Sequence, residues 1–347
     1  MSQSKYQVNI DVANQTKKEL AEILPSDDRV INKLGAFASL FDAKFREYQH
    51  PVLVLKTEEP GTKQFLAFKN NRIESVCRDM VHHLINDCIM MGAKPLAVQD
   101  AILCGEIEKE VITRIVSAVS EACKENACVL TGGETSEQPG VLSPGMYLLT
   151  SSIVGVVEKE KIIDGSKIRK DHTVIGIESS GLHTNGYTLV RKLLSENTAL
   201  ESMLVDGRTF MDAVLESHRC YYQPLKDLFS SDVIKGLAHI TGGGIKENLN
   251  RILPNGLDAV IDLNSYQILE VFKIIKNVGE ISDDEMLRIF NMSIGLALVT
   301  EENRVASIIR HFAKYNIRAY VIGGIVEGNK TVRTVGEFQW GHKPHGS

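Results

Sequence analysis

The sequence predicts a two-domain α/β (α+β) protein, and three observations carry that prediction. A chain of 347 residues has room for about two domains of ordinary size. Strand-like apolar stretches run repeatedly into small-residue loops and leave them as amphipathic helical patterns. The segment 161–171, K-I-I-D-G-S-K-I-R-K-D, is rich in turn residues and charge and marks a composition shift between the halves. One domain is therefore expected over 1–168 and a second over 169–347.

Composition narrows the class. Hydrophobic residues make up 43% and charged residues 24%, an ordinary globular balance. No apolar run approaches the ~18 residues of a membrane span, and residues 1–12 are polar without a signal-peptide core. A cytoplasmic protein with no membrane partner is expected. The net charge of −5 and the lack of a Lys/Arg block argue against a nucleic-acid partner. The cysteines at 77, 88, 104, 123, 128 and 220 form no C-x-x-C pair and read as reduced core residues.

Along the first half, a polar start holds a helix-like segment near 15–23 and a glycine-alanine stretch at 34–41. Strands are expected at 51–57 and 64–68, with the loop 58–63, E-E-P-G-T-K, between them. From 75 to 91, Val76, Met80, Val81, Leu84, Ile85, Cys88 and Ile89 recur at helical spacing and form one buried stripe. The opposite face carries Asp79, His82, His83, Asn86 and Asp87. Asp79, His83 and Asp87 line one side over about 12 Å of helix; on its own, such a row reads as a solvated face. Three ligands along one straight helix cannot surround a single ion, which sets aside a transition-metal site there. A strand at 94–104 and an amphipathic helix at 106–126 follow.

At 128–140, C-V-L-T-G-G-E-T-S-E-Q-P-G, a strand runs into a glycine pair with Glu134 and Glu137 behind it. A carboxylate there is placed to hold Mg²⁺ with bridging phosphates; a loop acid in solvent is an equal alternative. A further strand is expected at 146–157.

The second half opens with a strand at 173–178 that enters S-S-G-L-H-T-N-G and leaves as a helix. His183 and Asn185 lie within that loop, where a histidine serves as acid, base or phosphate donor, or simply as a cap. Residues 237–254, L-A-H-I-T-G-G-G-I-K-E-N-L-N-R-I-L-P, read as strand, triple-glycine turn and helix. Glycines that admit positive φ, followed by helical N–H groups, suit a phosphate; the plainer reading is a tight strand-to-helix turn. Strand and helix then alternate through 259–262, 268–277, a helix at 284–290, 294–299, 304–315 and 319–326. The polar tail 336–347 is expected to be loosely held.

The loops 58–63, 131–140, 179–186 and 241–248 together offer glycine, carboxylate and basic groups at strand ends. That combination suits a phosphate-rich substrate with Mg²⁺, hence nucleotide chemistry. Neither a Walker P-loop nor a G-x-G-x-x-G fingerprint is present. The pattern leads to an α/β enzyme using ATP or a sugar phosphate.

Six ordered segments take the reading further: N-D-C-I-M-M-G-A-K-P-L (86–96), G-G-E-T-S-E-Q-P-G (132–140), V-G-V-V-E-K-E-K-I-I-D-G-S-K (154–167), S-S-G-L-H-T-N-G-Y-T-L-V-R-K (179–192), A-H-I-T-G-G-G-I-K-E-N (238–248) and E-M-L-R-I-F-N-M-S-I-G (285–295). Through them nearly the whole chain resembles the phosphoribosylformylglycinamidine cyclo-ligase (aminoimidazole ribonucleotide synthetase) family of purine biosynthesis. The resemblance implies an N-terminal domain that binds ATP and pairs in a homodimer, and an active site in a cleft between domains. It implies ATP-dependent closure of formylglycinamidine ribonucleotide to aminoimidazole ribonucleotide, with ATP and Mg²⁺ as cofactors. By the same resemblance, Asp79 and Glu134 hold Mg²⁺ with the ATP phosphates, with Asn86 and Asp87 close by. Glu58, Thr62 and Lys63 of the first loop contact phosphate. His183 moves a proton or stabilises the iminophosphate, Asn185 belongs to the same substrate loop, and Gly242, Gly243 and Gly244 bind a phosphate group. Where the family reads T-D-G-V-G-T-K, this chain has T-E-E-P-G-T-K, and Leu34–Phe41 is poorer in glycine. These departures leave a diverged, non-catalytic paralogue, or an enzyme of altered substrate, as the alternative.

Overall fold

The computed structural model describes residues 27–32 and 36–341. The expected helix near 15–23, part of the stretch 34–41 and the end of the tail lie outside the described residues. Two compact units divide the chain, Met1–Ile89 with Ala93–Ile162, and Met90–Gly92 with Ile163–Ser347.

The first unit is built from β1 (Pro51–Glu58), α1 (Lys63–Lys69), α2 (Ile73–Ile89), β2 (Lys94–Cys104), α3 (Lys109–Glu125), β3 (Val129–Glu137) and β4 (Tyr147–Glu158). Its sheet runs β1-β4-β2-β3. β2 and β3 are parallel, joined by the crossover helix α3, while β4 is antiparallel to both β1 and β2. The apolar stripe of α2 is buried as its spacing predicts, with Val76, Val81, Leu84, Ile85 and Cys88 fully inaccessible.

Three expectations are corrected here. Residues 64–68 are not a strand but most of α1. Five mainly apolar residues cannot reveal their period, and here Lys63, Leu66 and Ala67 are buried at helical spacing. The polar row of α2 is not a solvated face, since Asp79, His83 and Asn86 are all buried. β3 does not end at the glycine pair but runs through it, so Glu134 stands within a strand.

The second unit carries a six-stranded sheet in the order β12-β9-β11-β5-β10-β8. Its strands are β5 (Thr173–Glu178), β8 (Gly236–His239), β9 (Leu257–Asp262), β10 (Ile294–Thr300), β11 (Ala319–Glu327) and β12 (Val332–Val335). A small hairpin pairs β6 (Leu204–Val205) with β7 (Arg208–Thr209). All pairings of the larger sheet are antiparallel except β12 with β9. The run I-G-L-A-L-V-T of β10 is buried along its whole length, which explains its lack of polar alternation. Helices α4 (Tyr187–Glu196), α5 (Phe210–Val214), α6 (Tyr222–Lys226), α7 (Gly244–Asn250), α8 (Glu270–Gly279), α9 (Asp283–Ile289) and α10 (Val305–Ala313) complete it. The start of the tail is better held than its polarity suggests. Phe338 is buried against Tyr266 and Trp340, and the Trp340 indole donates to Asp283 at 3.2 Å.

Candidate functional site

Two groups of residues predicted from sequence assemble, one in each unit. In the first unit, Lys63 Nζ lies 2.8 Å from Asp79 Oδ2, with both side chains fully buried. The loop lysine thus opens α1 and turns inward to neutralise the helix acid. Glu58 and Asp87 are drawn together by a cation that belongs to no sequence motif: Lys56 on β1 sits 2.6 Å from Glu58 and 3.0 Å from Asp87. Partial burial works against the Lys56 charge, but the two carboxylates outweigh it and raise its pKa. His83 Nε2 is 3.8 Å from Asp87, one helical turn on. Thr62 caps α1 without a side-chain bond, and Asn86 is fully buried on α2.

Glu134 has a different setting from the buried Asp79. In the parallel ladder Asp100 pairs with Gly133 and Ala101 with Glu134, so strand alternation turns Glu134 to the face opposite Asp100. Glu134 is exposed, whereas Asp100 shares the buried side of β2 with Val98 and Ile102. A Cβ at Gly133 would collide with Asp100 Oδ1; glycine is needed there for room.

Asp100 is the residue that sequence reasoning misses. The signal is present, an acid at an inward position of an alternating strand. Burial pushes its pKa up from 3.8 to about 7, and its Oδ2 has no hydrogen-bond partner among the described residues. Both Asp100 and Asp79 lie close enough to Cys77 to help burial raise that thiol's pKa. Between pH 3.8 and about 7 the folded Asp100 holds a proton that the unfolded chain has lost, so stability falls as pH rises through that window. The loss is on the order of 4 kcal/mol. Asp100→Asn is expected to flatten this part of the curve in metal-free protein, measured by urea unfolding at a series of pH values. An unchanged slope would remove Asp100 as its source.

In the second unit the loop between β5 and α4 is shaped from a distance. Asn291 Nδ2 donates to Gly181 O at 2.9 Å, while Asn291 Oδ1 accepts from Ser293 N at 2.9 Å and lies 3.2 Å from Ser179 Oγ. His183 sits inside this loop with a left-handed φ of 61° and 1% exposure, its Nε2 accepting the Ser180 N–H at 3.3 Å. A Cβ at Gly295 would overlap Tyr221 Oη and crowd His183 Cε1. Gly295→Ala is therefore expected to cost about 1–3 kcal/mol and to disturb His183, visible as a lowered Tm and a shifted imidazole resonance. A wild-type melting curve would contradict this.

The glycine turn meets the same loop, because a Cβ at Gly242 would lie 3.3 Å from Asn185 Oδ1. The turn itself is closed. Gly243 N donates to Arg288 O at 3.1 Å and Gly244 N to Thr241 O at 3.0 Å. Asn248 Nδ2 braces the carbonyls of Thr241, Gly242 and Gly244 from inside. Two of the three glycine amides are thus spent on the turn, and α7 is only seven residues long.

The two folds and their loops define an AIR synthase-related protein. Residues 42–157 match the family model described as AIR synthase related protein, N-terminal domain, and residues 169–336 match its C-terminal counterpart. The chain belongs to the phosphoribosylformylglycinamidine cyclo-ligase family. It is 39% identical to the protein of that name from Bacillus mycoides, over 86% of this chain and 88% of the relative. Identity to the cyclo-ligase of Bacillus cytotoxicus is also 39%, over 86% and 87%. Among solved structures, thiamine-monophosphate kinase from Stenotrophomonas maltophilia shares the fold with a TM-score of 0.66 at 14% identity, over 95% of this chain and 98% of that one. The E. coli hydrogenase maturation protein HypE gives 0.67 at 14%, over 94% and 93%. A HypE crystallised in complex with ATP gives 0.66 at 15%, over 93% and 91%.

Proposed function

We propose that this chain closes formylglycinamidine ribonucleotide to aminoimidazole ribonucleotide at the expense of ATP. The observation that carries the reading is 39% identity to cyclo-ligases across most of both chains. An amide oxygen is a poor leaving group. Transfer of the γ-phosphoryl group to the formyl oxygen makes it a phosphate ester; the amidine nitrogen then attacks that carbon and inorganic phosphate departs as the ring forms. Positioning and charge neutralisation supply most of the rate in such a transfer.

In this reading the first unit serves ATP and the second the ribonucleotide. Mg²⁺, when bound, neutralises phosphate charge. The acids of the first unit offer the hard oxygen donors it prefers, and the unpartnered Oδ2 of Asp100 fits that need. Asp100 would hold the ion, with Asp79 joining by exchanging Lys63, which is then released towards phosphate. Asn86 belongs to the same acid-bearing helix. Glu134, on the exposed face of β3, would hold Mg²⁺ against the nucleotide's phosphates, with Thr62 and Glu58 of the loop after β1 and Asp87 of α2 also contacting the nucleotide. The Lys56 bridge neutralises Glu58, the longer acid that stands where the family has aspartate, together with Asp87. His183 would hold or pass the proton at the formyl oxygen, with Asn185 and the Gly242–Gly244 turn beside the substrate's phosphate.

A homodimer through the first unit is part of the proposal. Leu53 and Leu55 on edge strand β1 are 53% and 71% exposed, an apolar surface suited to a second copy. No helix among the described residues is long and apolar enough to cross a membrane, and a cytoplasmic location is proposed on the family's metabolic role.

The test is ADP release by the purified protein given ATP and Mg²⁺, with and without formylglycinamidine ribonucleotide. Substrate-dependent ADP together with the imidazole product is expected. A folded protein that releases no ADP under these conditions would overturn the reading in favour of a diverged paralogue.

A further inference from the structure

Three buried imidazoles converge in the second unit. His183 comes from the loop after β5, His218 from the link between α5 and α6, and His239 from the last position of β8. One ring nitrogen of each lies within 4.8 Å of the other two. Exposure is 1% for His183 and His218 and 6% for His239. Nε2 of His218 stands 3.1 Å from Nε2 of His239, and the His183 ring stacks on His218 at 3.9 Å.

This spacing is close to that of ligands on one metal ion. Metal–nitrogen bonds of about 2.0–2.1 Å in a tetrahedral site put neighbouring ligand atoms roughly 3.3–3.4 Å apart. The His218–His239 pair needs to open by only a few tenths of an ångström. His183 needs more, since a ring stacked on its neighbour does not aim its lone pair at a shared point. Binding would require that ring to turn from its stacked pose, giving up the Ser180 N–H contact at 3.3 Å. The donor set is entirely imidazole, with no carboxylate or thiolate among the three, and such a set favours zinc, copper, nickel or iron over magnesium or calcium.

We propose that His183, His218 and His239 form a binding site for a divalent transition-metal ion, Zn²⁺ by preference. Three protein ligands leave a fourth position. An anionic oxygen, such as that of a phosphate ester, or water can take it. The proposal goes beyond the ring-closure reading and rests on other observations: the ion is distinct in chemistry and ligands from the Mg²⁺ assigned to the first unit, and His183 serves as the proton carrier of that reading only in protein free of the ion.

Full-length protein stripped with a chelator and titrated with Co²⁺, in the absence of ATP and ribonucleotide, tests it. Visible absorption of tetrahedral intensity, saturating at one equivalent per chain and displaced by Zn²⁺, is the expected result. His218→Gln and His239→Gln should each weaken binding at least ~10-fold, with cooperative melting of each variant confirming that it folds. Absence of the tetrahedral band, or wild-type affinity in either folded variant, overturns the proposal. X-ray absorption of the Zn²⁺-loaded wild-type protein needs no variant at all. Three imidazole ligands support the site and fewer refute it. Because ring closure is not measured, failure here leaves the proposed activity standing, and failure of the ADP assay leaves the site standing.

Discussion

Replacing Lys63 with methionine is expected to destabilise the protein by roughly 3–5 kcal/mol, the cost of leaving one member of a buried ion pair uncompensated. Lys63 and Asp79 are both 0% exposed and 2.8 Å apart, so water cannot take over the solvation of the carboxylate that remains. The double change Lys63→Met with Asp79→Leu is expected to recover much of the loss, because apolar side chains of similar size often replace such a pair at little cost. Urea unfolding of the full-length wild type, both single variants and the double variant gives the coupling directly. A double variant weaker than Lys63→Met alone would show that the pair is not what the lysine stabilises. The same cycle bears on function. If the pair must open for Lys63 to reach phosphate, Lys63→Met also raises the KM for ATP under conditions where the variant is folded.

Glu134→Gln is expected to lower substrate-dependent ADP release by about 10³-fold or more while leaving the melting temperature close to that of the wild type. The asymmetry follows from its setting. Glu134 is exposed on β3 and no described hydrogen bond or ion pair of the fold runs through its carboxylate, so an amide of the same shape leaves packing untouched. What disappears is a charged carboxylate oxygen proposed to hold Mg²⁺ against the ATP phosphates. Near-normal turnover would remove Glu134 from the machinery and direct attention to Asp100. A large drop in Tm would instead mean that the residue serves the fold.

Much of this architecture is written locally in the chain. The stripe from Val76 to Ile89 encodes α2, and the bounds of β2 and β5 coincide with the strands read at 94–104 and 173–178, since Gly, Pro and charge punctuate both ends. What escapes depends on distance. Residues 64–68 are too few to show a period, so α1 reads as a strand. The polar row of α2 reads as solvated because its partner, Lys63, comes from another element. Asp100 occupies the apolar register of Val98 and Ile102, where an acid is easily passed over because no motif marks it. His218 belongs to no motif; only the fold sets it beside His183 and His239. The loop that carries His183 and Asn185 is legible between its strand and helix, but the side chain that shapes it, Asn291, is not.

That last contact spans 110 positions in sequence, from Asn291 Nδ2 to Gly181 O. A contact so remote cannot form until the whole intervening chain has been made. During synthesis the ribosome releases the complete first unit, and even the loop bearing His183, well before Asn291 appears. A nascent or truncated chain would therefore carry the histidine without its pose. The proposed ribonucleotide site would then be complete only in a finished chain.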